Sequence, residues 1–545
     1  MAMHRNTALA LVAASACLLT VACGSADDDS VAEGSGGVGA TGATGQTGGA
    51  PQTGGALPTG GAGAVGQTGG ALPTGGALPT GGALPTGGVG AAPTGGVGAA
   101  PTGGVGAAPT GGMGAAPTGG MGAGGAATGG MGAGGAATGG VEATGGDAST
   151  GGSSVGAVAW GEEEDPTAGC AVGQLPAANS FTTGDAKLPD PFTKMDGTRM
   201  TDRSEWACRR EEILQQSLAY IYGDKPVPPP GAVSGSVSAT SITVEVSDGG
   251  STSFTASVDM NGASQPAPAI ITYGGSGASA PSGVATITLN PIETTGGSGN
   301  KSGPFYDVYG SNHPAGYLTA QAWQVSRILD VLEQNPGVID PYRVGVTGCS
   351  RWGKGAFVAG VLDNRIALTI PVESGIAGTV ALRLVEQLDT SGEWPYHAIS
   401  YVRWLSEVAL GAFTSGNSAG ADNTDRLPVD MHEMMALIAP RGLYIVDNPS
   451  TNYAGLDRNS AWVTGNVAKE IFSALGVEDH IAYEGASGSH CQWRSQYNAS
   501  LNAMVDKFLK GNDSATTGNF NTDLGGAPNP SQYYSWTVPD LTGDL

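Results

Sequence analysis

From residue 161 to the end of the chain, short apolar runs alternate with longer stretches whose apolar positions recur every third or fourth residue. The short runs are bounded by glycine and small polar residues and read as strands: Ala269–Tyr273, Val284–Leu289, Tyr342–Thr347, Ala367–Val372, Leu443–Asp447 and His480–Glu484. The longer stretches read as helices: Leu318–Glu333, Lys354–Leu362, Ala461–Leu475 and Ser495–Leu509. Upstream, Asp202-Arg203-Ser204-Glu205 has the spacing of a capping box that opens a helix reaching to about Tyr222. An alternating region, Ser234 to Met260, turns at Asp248-Gly249-Gly250 and reads as a β-hairpin. Strands alternating with helices predict an α/β fold, a three-layer sandwich of the α/β-hydrolase kind with a mainly parallel central sheet.

The first 160 residues are built differently. Residues 1–23 combine Arg5, an apolar run from Ala8 to Ala22, and Cys23. The run is shorter than the ~20 residues a bilayer span needs and reads as an export signal. Thr20-Val21-Ala22-Cys23 resembles a lipobox, although leucine is usual where Thr20 stands, so lipidation of Cys23 and simple cleavage both stay open. Residues 24–160 are mostly glycine, alanine, threonine and proline in repeats of the ALPTGG, VGAAPTGG and MGAGGAATGG type, with no aromatic residue before Trp160. They lack the apolar periodicity of a solenoid and the strict three-residue glycine of collagen, which predicts a disordered linker. About 135 such residues have an r.m.s. reach of roughly 60–70 Å, enough to let an anchored domain sample a solid polymer. Residues 161–545 are expected to form one α/β domain.

Composition adds two constraints. The net charge of −24 argues against nucleic acid and anionic membrane surfaces as partners. Beyond Cys17 and Cys23 there are four cysteines, Cys170, Cys208, Cys349 and Cys491, and an even number in an exported chain predicts two disulfides.

The chemistry centres on Gly348-Cys349-Ser350-Arg351-Trp352-Gly353-Lys354-Gly355-Ala356. A serine between a strand and a helix, two residues after glycine, has the arrangement of a nucleophile elbow, which lifts the hydroxyl from the backbone and aims the following amides at a developing oxyanion. The usual second glycine would stand at Trp352; here it comes one residue later. A triad in the order serine, acid, histidine needs a late histidine from a loop, and His490, after the strand His480–Glu484, fits. Its competitors are placed worse: His4 lies in the signal, His313 and His397 come too early, His432 lies in an expected helix and His480 at an expected strand start. Two carboxylates compete for the acid: Glu373 after Ala367–Val372 and Asp447 at the end of Leu443–Asp447. Either would hold the imidazole tautomer. If Ser350 and His490 meet, their neighbours Cys349 and Cys491 must be close, which favours the pairings 349–491 and 170–208.

The string GCSRWGKGA resembles the signature of the glucuronoyl esterases, carbohydrate esterase family 15. Leu188–Phe192, Trp206–Ile213, Tyr273–Ser276, Phe305–Ser311 and Leu437–Tyr444 resemble further landmarks of that family. The resemblance implies hydrolysis of the ester between 4-O-methyl-glucuronic acid on xylan and lignin alcohols, with no metal or cofactor. It favours Glu373 as the acid, with Ser350 as nucleophile, His490 as base, Arg351 helping to hold the oxyanion, and Lys354 contacting hydroxyls of the uronate. It also implies bridges at matching cysteines. Tyr453 stands where fungal members carry a substrate-facing Trp. Glu393 is the counterpart of a sugar-binding Glu, and Gln387 a weaker counterpart of a sugar-binding Gln. A monomeric, extracellular or surface-anchored enzyme acting on glucuronoxylan or a lignin–carbohydrate ester is expected. The alternatives are an acetyl or feruloyl xylan esterase with the same triad and, from another class, a non-catalytic surface carbohydrate-binding lipoprotein.

Overall fold

The computed structural model describes residues 161–166, 169–292, 301–388, 394–396, 398–399, 403–414, 422–448, 458–523 and 525–545. The signal (1–23), the repeat segment (24–160), Glu393 and Tyr453 lie outside the described residues.

The strands, in chain order, are β1 (Val233–Val237), β2 (Ser241–Asp248), β3 (Gly250–Asp259), β4 (Ala267–Tyr273), β5 (Ala285–Leu289), β6 (Ile339–Cys349), β7 (Ile366–Val372), β8 (Gly442–Asp447), β9 (Ile481–Gly485) and β10 (Phe520–Thr522). They form one sheet in the order β1-β2-β3-β5-β4-β6-β7-β8-β9-β10. From β5 to β10 every pairing is parallel, while β1, β2, β3 and β5 pair antiparallel. The region expected as one hairpin is therefore a three-stranded antiparallel ribbon, because β1 adds its own edge to the β2–β3 pair. Burial follows strand type. β2 alternates buried and exposed positions, whereas β4 and β8 are buried almost throughout, as parallel strands covered on both faces must be.

The helices are α1 (Trp206–Ser217), α2 (Pro304–Tyr309), α3 (Tyr317–Gln334), α4 (Arg351–Leu362), α5 (Val385–Leu388), α6 (Glu407–Leu410), α7 (Met431–Ala436), α8 (Arg458–Ala474) and α9 (Asn498–Phe508). The Asp202/Glu205 capping box is present; it opens a 3₁₀ turn that runs into α1, and α1 ends in a π-helical turn, Leu218–Tyr222. Period-two alternation divides the core. Ile271, Val344, Val346, Leu443 and Ile445 face the cluster that includes α3 and α4, while Ile270, Leu368, Ile370, Tyr444 and Val446 face Tyr497, Leu501, Met504 and Val505 of α9 and the turn before it. The sheet is thus the middle layer of three. His480 stands in the 3₁₀ turn Glu478–His480 before β9, not at the start of the strand as expected.

Just before the first disulfide, Glu164 is buried within the domain. Its carboxylate pairs with Lys225, with Arg327 and, at 3.6 Å, with Arg365, which also pairs with Asp363 at 2.8 Å. Its carbonyl accepts the Asn364 N–H at 3.0 Å.

Parallel register fixes where the chemistry gathers. Cys349 is opposite Val372, and Val372 is opposite Val446. The next residues along the three strands are Ser350, Glu373 and Asp447, so all three stand at one level on the carboxyl edge, where α/β sheets present their ligands. β9 ends one strand further on, and the loop after it carries His490.

Candidate active site

Ser350 caps the N-terminus of α4 with φ 59° and ψ −126°, a backbone conformation unusual for a residue with a side chain. Two hydrogen bonds hold it: the Ser350 N–H donates to Val372 O at 2.9 Å and the Lys354 N–H donates to Ser350 O at 3.0 Å. The displaced glycine of the motif has a steric reason. A Cβ on Gly353 would lie 2.4 Å from Val372 O, and one on Gly348 would lie 2.4 Å from Trp352 O. The close approach falls at 353, so position 352 accepts a tryptophan, which is half-buried beside Gly274. The loop after β4 is tied to the elbow: Cys349 N–H donates to Ser276 Oγ at 3.2 Å, and Ser276 Oγ donates to Tyr273 O at 2.9 Å. Arg351 is exposed at the first position of α4, with its guanidinium carbon 6.0 Å from the Trp352 ring centroid.

Glu373 is buried and also adopts positive φ, 45°, turning the chain off β7. Its carboxylate accepts three hydrogen bonds: His490 Nδ1–H to Oε2 at 2.5 Å, Cys491 N–H to Oε1 at 2.8 Å, and Asn448 Nδ2–H to Oε1 at 2.7 Å. With its proton on Nδ1, the imidazole carries its basic lone pair on Nε2. Cys349 and Cys491 are bridged with a Cα–Cα distance of 5.7 Å, so the residue before Ser350 is covalently joined to the residue after His490. The other bridge joins Cys170 to Cys208.

The second candidate acid is different in kind. Asp447 is buried, and that burial raises its carboxyl to about 7; the facing Tyr483 hydroxyl opposes the rise and the Glu373 charge adds to it. A carboxyl at that value is partly neutral at neutral pH and is a poor counter-ion for an imidazolium. Lys354 is fully buried: its Nζ donates to Ser374 O at 2.7 Å and lies 4.5 Å from the Trp404 ring centroid. Gln387 Nε2 donates to Ala186 O at 2.9 Å and to Arg383 O at 3.1 Å, so its amide ties α5 to the amino-terminal segment. Among the described residues, no group of three or more His, Cys, Asp or Glu is placed to hold a metal ion.

Comparison with known proteins decides the family. The sequence profile described as "Glucuronyl esterase, fungi" matches residues 242–476. The 4-O-methyl-glucuronoyl methylesterase of Podospora anserina is 40% identical over 370 residues, covering 65% of this chain and 75% of the relative. That of Schizophyllum commune is also 40% identical over 370 residues, covering 65% of this chain and 91% of the relative. The chain belongs to the glucuronoyl esterases, carbohydrate esterase family 15. Solved structures of the family share its fold. The Hypocrea jecorina glucuronoyl esterase catalytic domain matches with a TM-score of 0.60 at 36% identity, over 66% of this chain and 98% of that one. A mutant of the Sporotrichum thermophile glucuronoyl esterase, in complex with methyl 4-O-methyl-β-D-glucopyranuronate, matches with a TM-score of 0.60 at 37% identity, over 66% of this chain and 97% of that one.

Sequence reasoning alone had not singled out Asn448, Ser374, Trp404 or Tyr497. Asn448 follows directly on Asp447 and Ser374 on Glu373, so strand-end position was a signal for both. Trp404 and Tyr497 come from segments far along the chain, and nothing local marks them.

Proposed function

We propose that this chain is a serine esterase of glucuronoyl esters, acting through Ser350, His490 and Glu373. The observation that carries the reading is the Glu373–His490 hydrogen bond on a loop that the Cys349–Cys491 bridge fastens to the Ser350 elbow. Ser350 Oγ attacks the ester carbonyl while His490 Nε2 takes its proton, and Glu373 stabilises the imidazolium. The Arg351 N–H, first in the helix after the nucleophile, and the Arg351 guanidinium stabilise the tetrahedral oxyanion. His490 returns its proton to the departing alcohol. A water, deprotonated by His490, then releases the uronic acid and restores Ser350. No cofactor enters these steps.

The substrate class follows from the family. The relatives named above are 4-O-methyl-glucuronoyl methylesterases, and one relative's structure holds a methyl glucuronate. Lys354, one turn into α4 from Ser350, contacts a hydroxyl of the uronate ring in this reading, with Glu393 and Tyr453 completing the sugar site. The physiological ester is one between glucuronic acid on xylan and a lignin alcohol. Two disulfides call for an oxidising compartment, which supports an extracellular enzyme. An anchor at Cys23 with residues 24–160 as tether, and action as a monomer, complete the proposal.

The test is a rate comparison on benzyl glucuronate, benzyl galacturonate, an aryl acetate and a feruloyl ester. The glucuronate should have the highest kcat/KM, because a site that bonds one ring hydroxyl is left with an unpaired donor by its epimer. Lys354→Ala should lower both the rate and the preference. Equal rates on the two uronates, or faster release of acetate or ferulate, would refute glucuronate recognition. Near wild-type turnover in a folded Ser350→Ala variant would refute the esterase mechanism.

A further inference from the structure

Asn448 lies directly after β8, buried, and its amide joins three parts of the site. One Nδ2 proton goes to Glu373 Oε1 at 2.7 Å and the other to Gln492 O at 2.6 Å, while Oδ1 accepts the Tyr497 hydroxyl. These partners also fix which way the amide faces, since the reverse orientation would set its oxygen against a carboxylate and a carbonyl. Glu373 thereby receives two donors on Oε1, from Asn448 and from the Cys491 N–H, and presents Oε2 to His490.

The loop beyond β9 needs such a hold. Cys491 has φ 59°, a conformation a non-glycine residue keeps only when its surroundings enforce it. On one side of His490 the chain is fixed by the Glu373 and disulfide contacts of Cys491; on the same turn, Gln492 is fixed through its carbonyl by Asn448. Tyr497, at the start of α9, anchors Asn448 from outside and is itself fully buried. A side chain that grips the acid and the base-bearing loop at once sets their mutual aim.

We infer that Asn448 is a positioning residue: it orients the Glu373 carboxylate and holds the His490 loop in register with it. This rests on the reading of Glu373 and His490 as acid and base.

The experiment compares Asn448→Ala and the isosteric Asn448→Asp with Ser350→Ala and Tyr497→Phe, each checked for native circular dichroism and an intact Cys349–Cys491 bridge. Displacement of a catalytic group by ~1 Å costs about 10²-fold, so kcat of Asn448→Ala on benzyl glucuronate should fall about 10- to 100-fold, with KM changed less than about twofold. In Asn448→Asp the loss should deepen as pH rises, because the introduced carboxyl, once ionised, accepts where the amide donated. Of the charged and titratable groups around that position, Glu373 and Tyr497 bond Asn448, His490 bonds Glu373, Asp447 precedes Asn448 in the chain, and Arg494, Asp447, Glu373 and Asp523 act on Tyr497. Tyr497→Phe should cost less, and nothing further in the Asn448→Ala background, the signature of two groups acting through one bond. The inference is overturned if folded Asn448→Ala keeps kcat within about twofold, if KM rather than kcat carries the change, or if the Asn448→Asp loss is independent of pH. Those results with an inactive Ser350→Ala leave the esterase reading standing, whereas an active Ser350→Ala removes both.

Discussion

Replacing Cys349 and Cys491 together by alanine separates stability from catalysis in this fold. That bridge spans 142 residues of sequence, for which the chain-entropy relation gives about 5 kcal/mol of stabilisation. The Cys170–Cys208 bridge spans 38, for which the same relation gives about 4 kcal/mol. Against the roughly 5–15 kcal/mol by which domains are stable, either loss is large and the two are nearly alike. Their effects on turnover should not be alike. Of the two bridges, the 349–491 bridge joins the Ser350 turn to the His490 loop, and without it position 491 has one fewer constraint on its left-handed backbone. A shift of about 1 Å there costs on the order of 10²-fold in kcat. Urea unfolding followed by tryptophan fluorescence gives the stability change, and kcat on benzyl glucuronate at urea-free, low-temperature conditions gives the catalytic one. The expected result is two comparable drops in midpoint, with kcat lowered only in the Cys349→Ala/Cys491→Ala variant. Equal kcat losses in both double variants, or wild-type kcat without the 349–491 bridge, would refute the reasoning.

Gly353→Ala should lower kcat about 10- to 100-fold, because a Cβ 2.4 Å from Val372 O pushes the elbow away from β7; near wild-type kinetics would mean the elbow tolerates the shift. Glu373→Ala should cost far more activity than Asp447→Ala, since Glu373 bonds His490 Nδ1 and burial raises the Asp447 carboxyl to about 7; kcat/KM of the two variants decides the order. Asp447→Asn should make stability less dependent on pH. A carboxyl raised to about 7 in the folded state binds a proton that the unfolded chain releases near its ordinary value of 3.8, so its burial weakens the fold as pH climbs from about 4 to 7. Thermal unfolding at pH 5 and pH 8 should therefore show a gain for Asp447→Asn that is larger at pH 8, and a gain no larger there would contradict the burial argument.

Much of the scaffold was legible because its signals are local. The parallel strands carry runs of buried apolar residues, and the capping box and the Gly-x-Ser turn each announce themselves within a few positions. Less legible were features that depend on distant partners. β1 is five residues with one buried side chain, Val233, and shows as a strand only through its pairing with β2. The choice between Glu373 and Asp447 was even from the residues because both stand at the ends of parallel strands; both are buried in the fold, and what separates them is that Glu373 accepts from three donors, His490 among them, whereas burial raises the Asp447 carboxyl. Lys354 reads from sequence as one more lysine on a helix. Its burial follows from Ser374 O and the Trp404 ring, brought there from chain segments 20 and 50 residues away. The motif's missing glycine at 352 also found its reason only in space, where Val372 O approaches position 353.

The ion cluster around Glu164 decides where this protein can be shortened. A chain begun at Gly161 keeps Glu164 between Lys225, Arg327 and Arg365, whereas one begun at Pro166 retains Cys170 and its bridge but strips a carboxylate from among buried cations. Removing one member of a buried ionic group typically costs about 3–5 kcal/mol, comparable to losing a disulfide. Five residues outside the Ser350, Glu373 and His490 cluster are thus expected to separate a robust shortened enzyme from a fragile one, with charge balance rather than the end of the repeats setting where the chain can be cut.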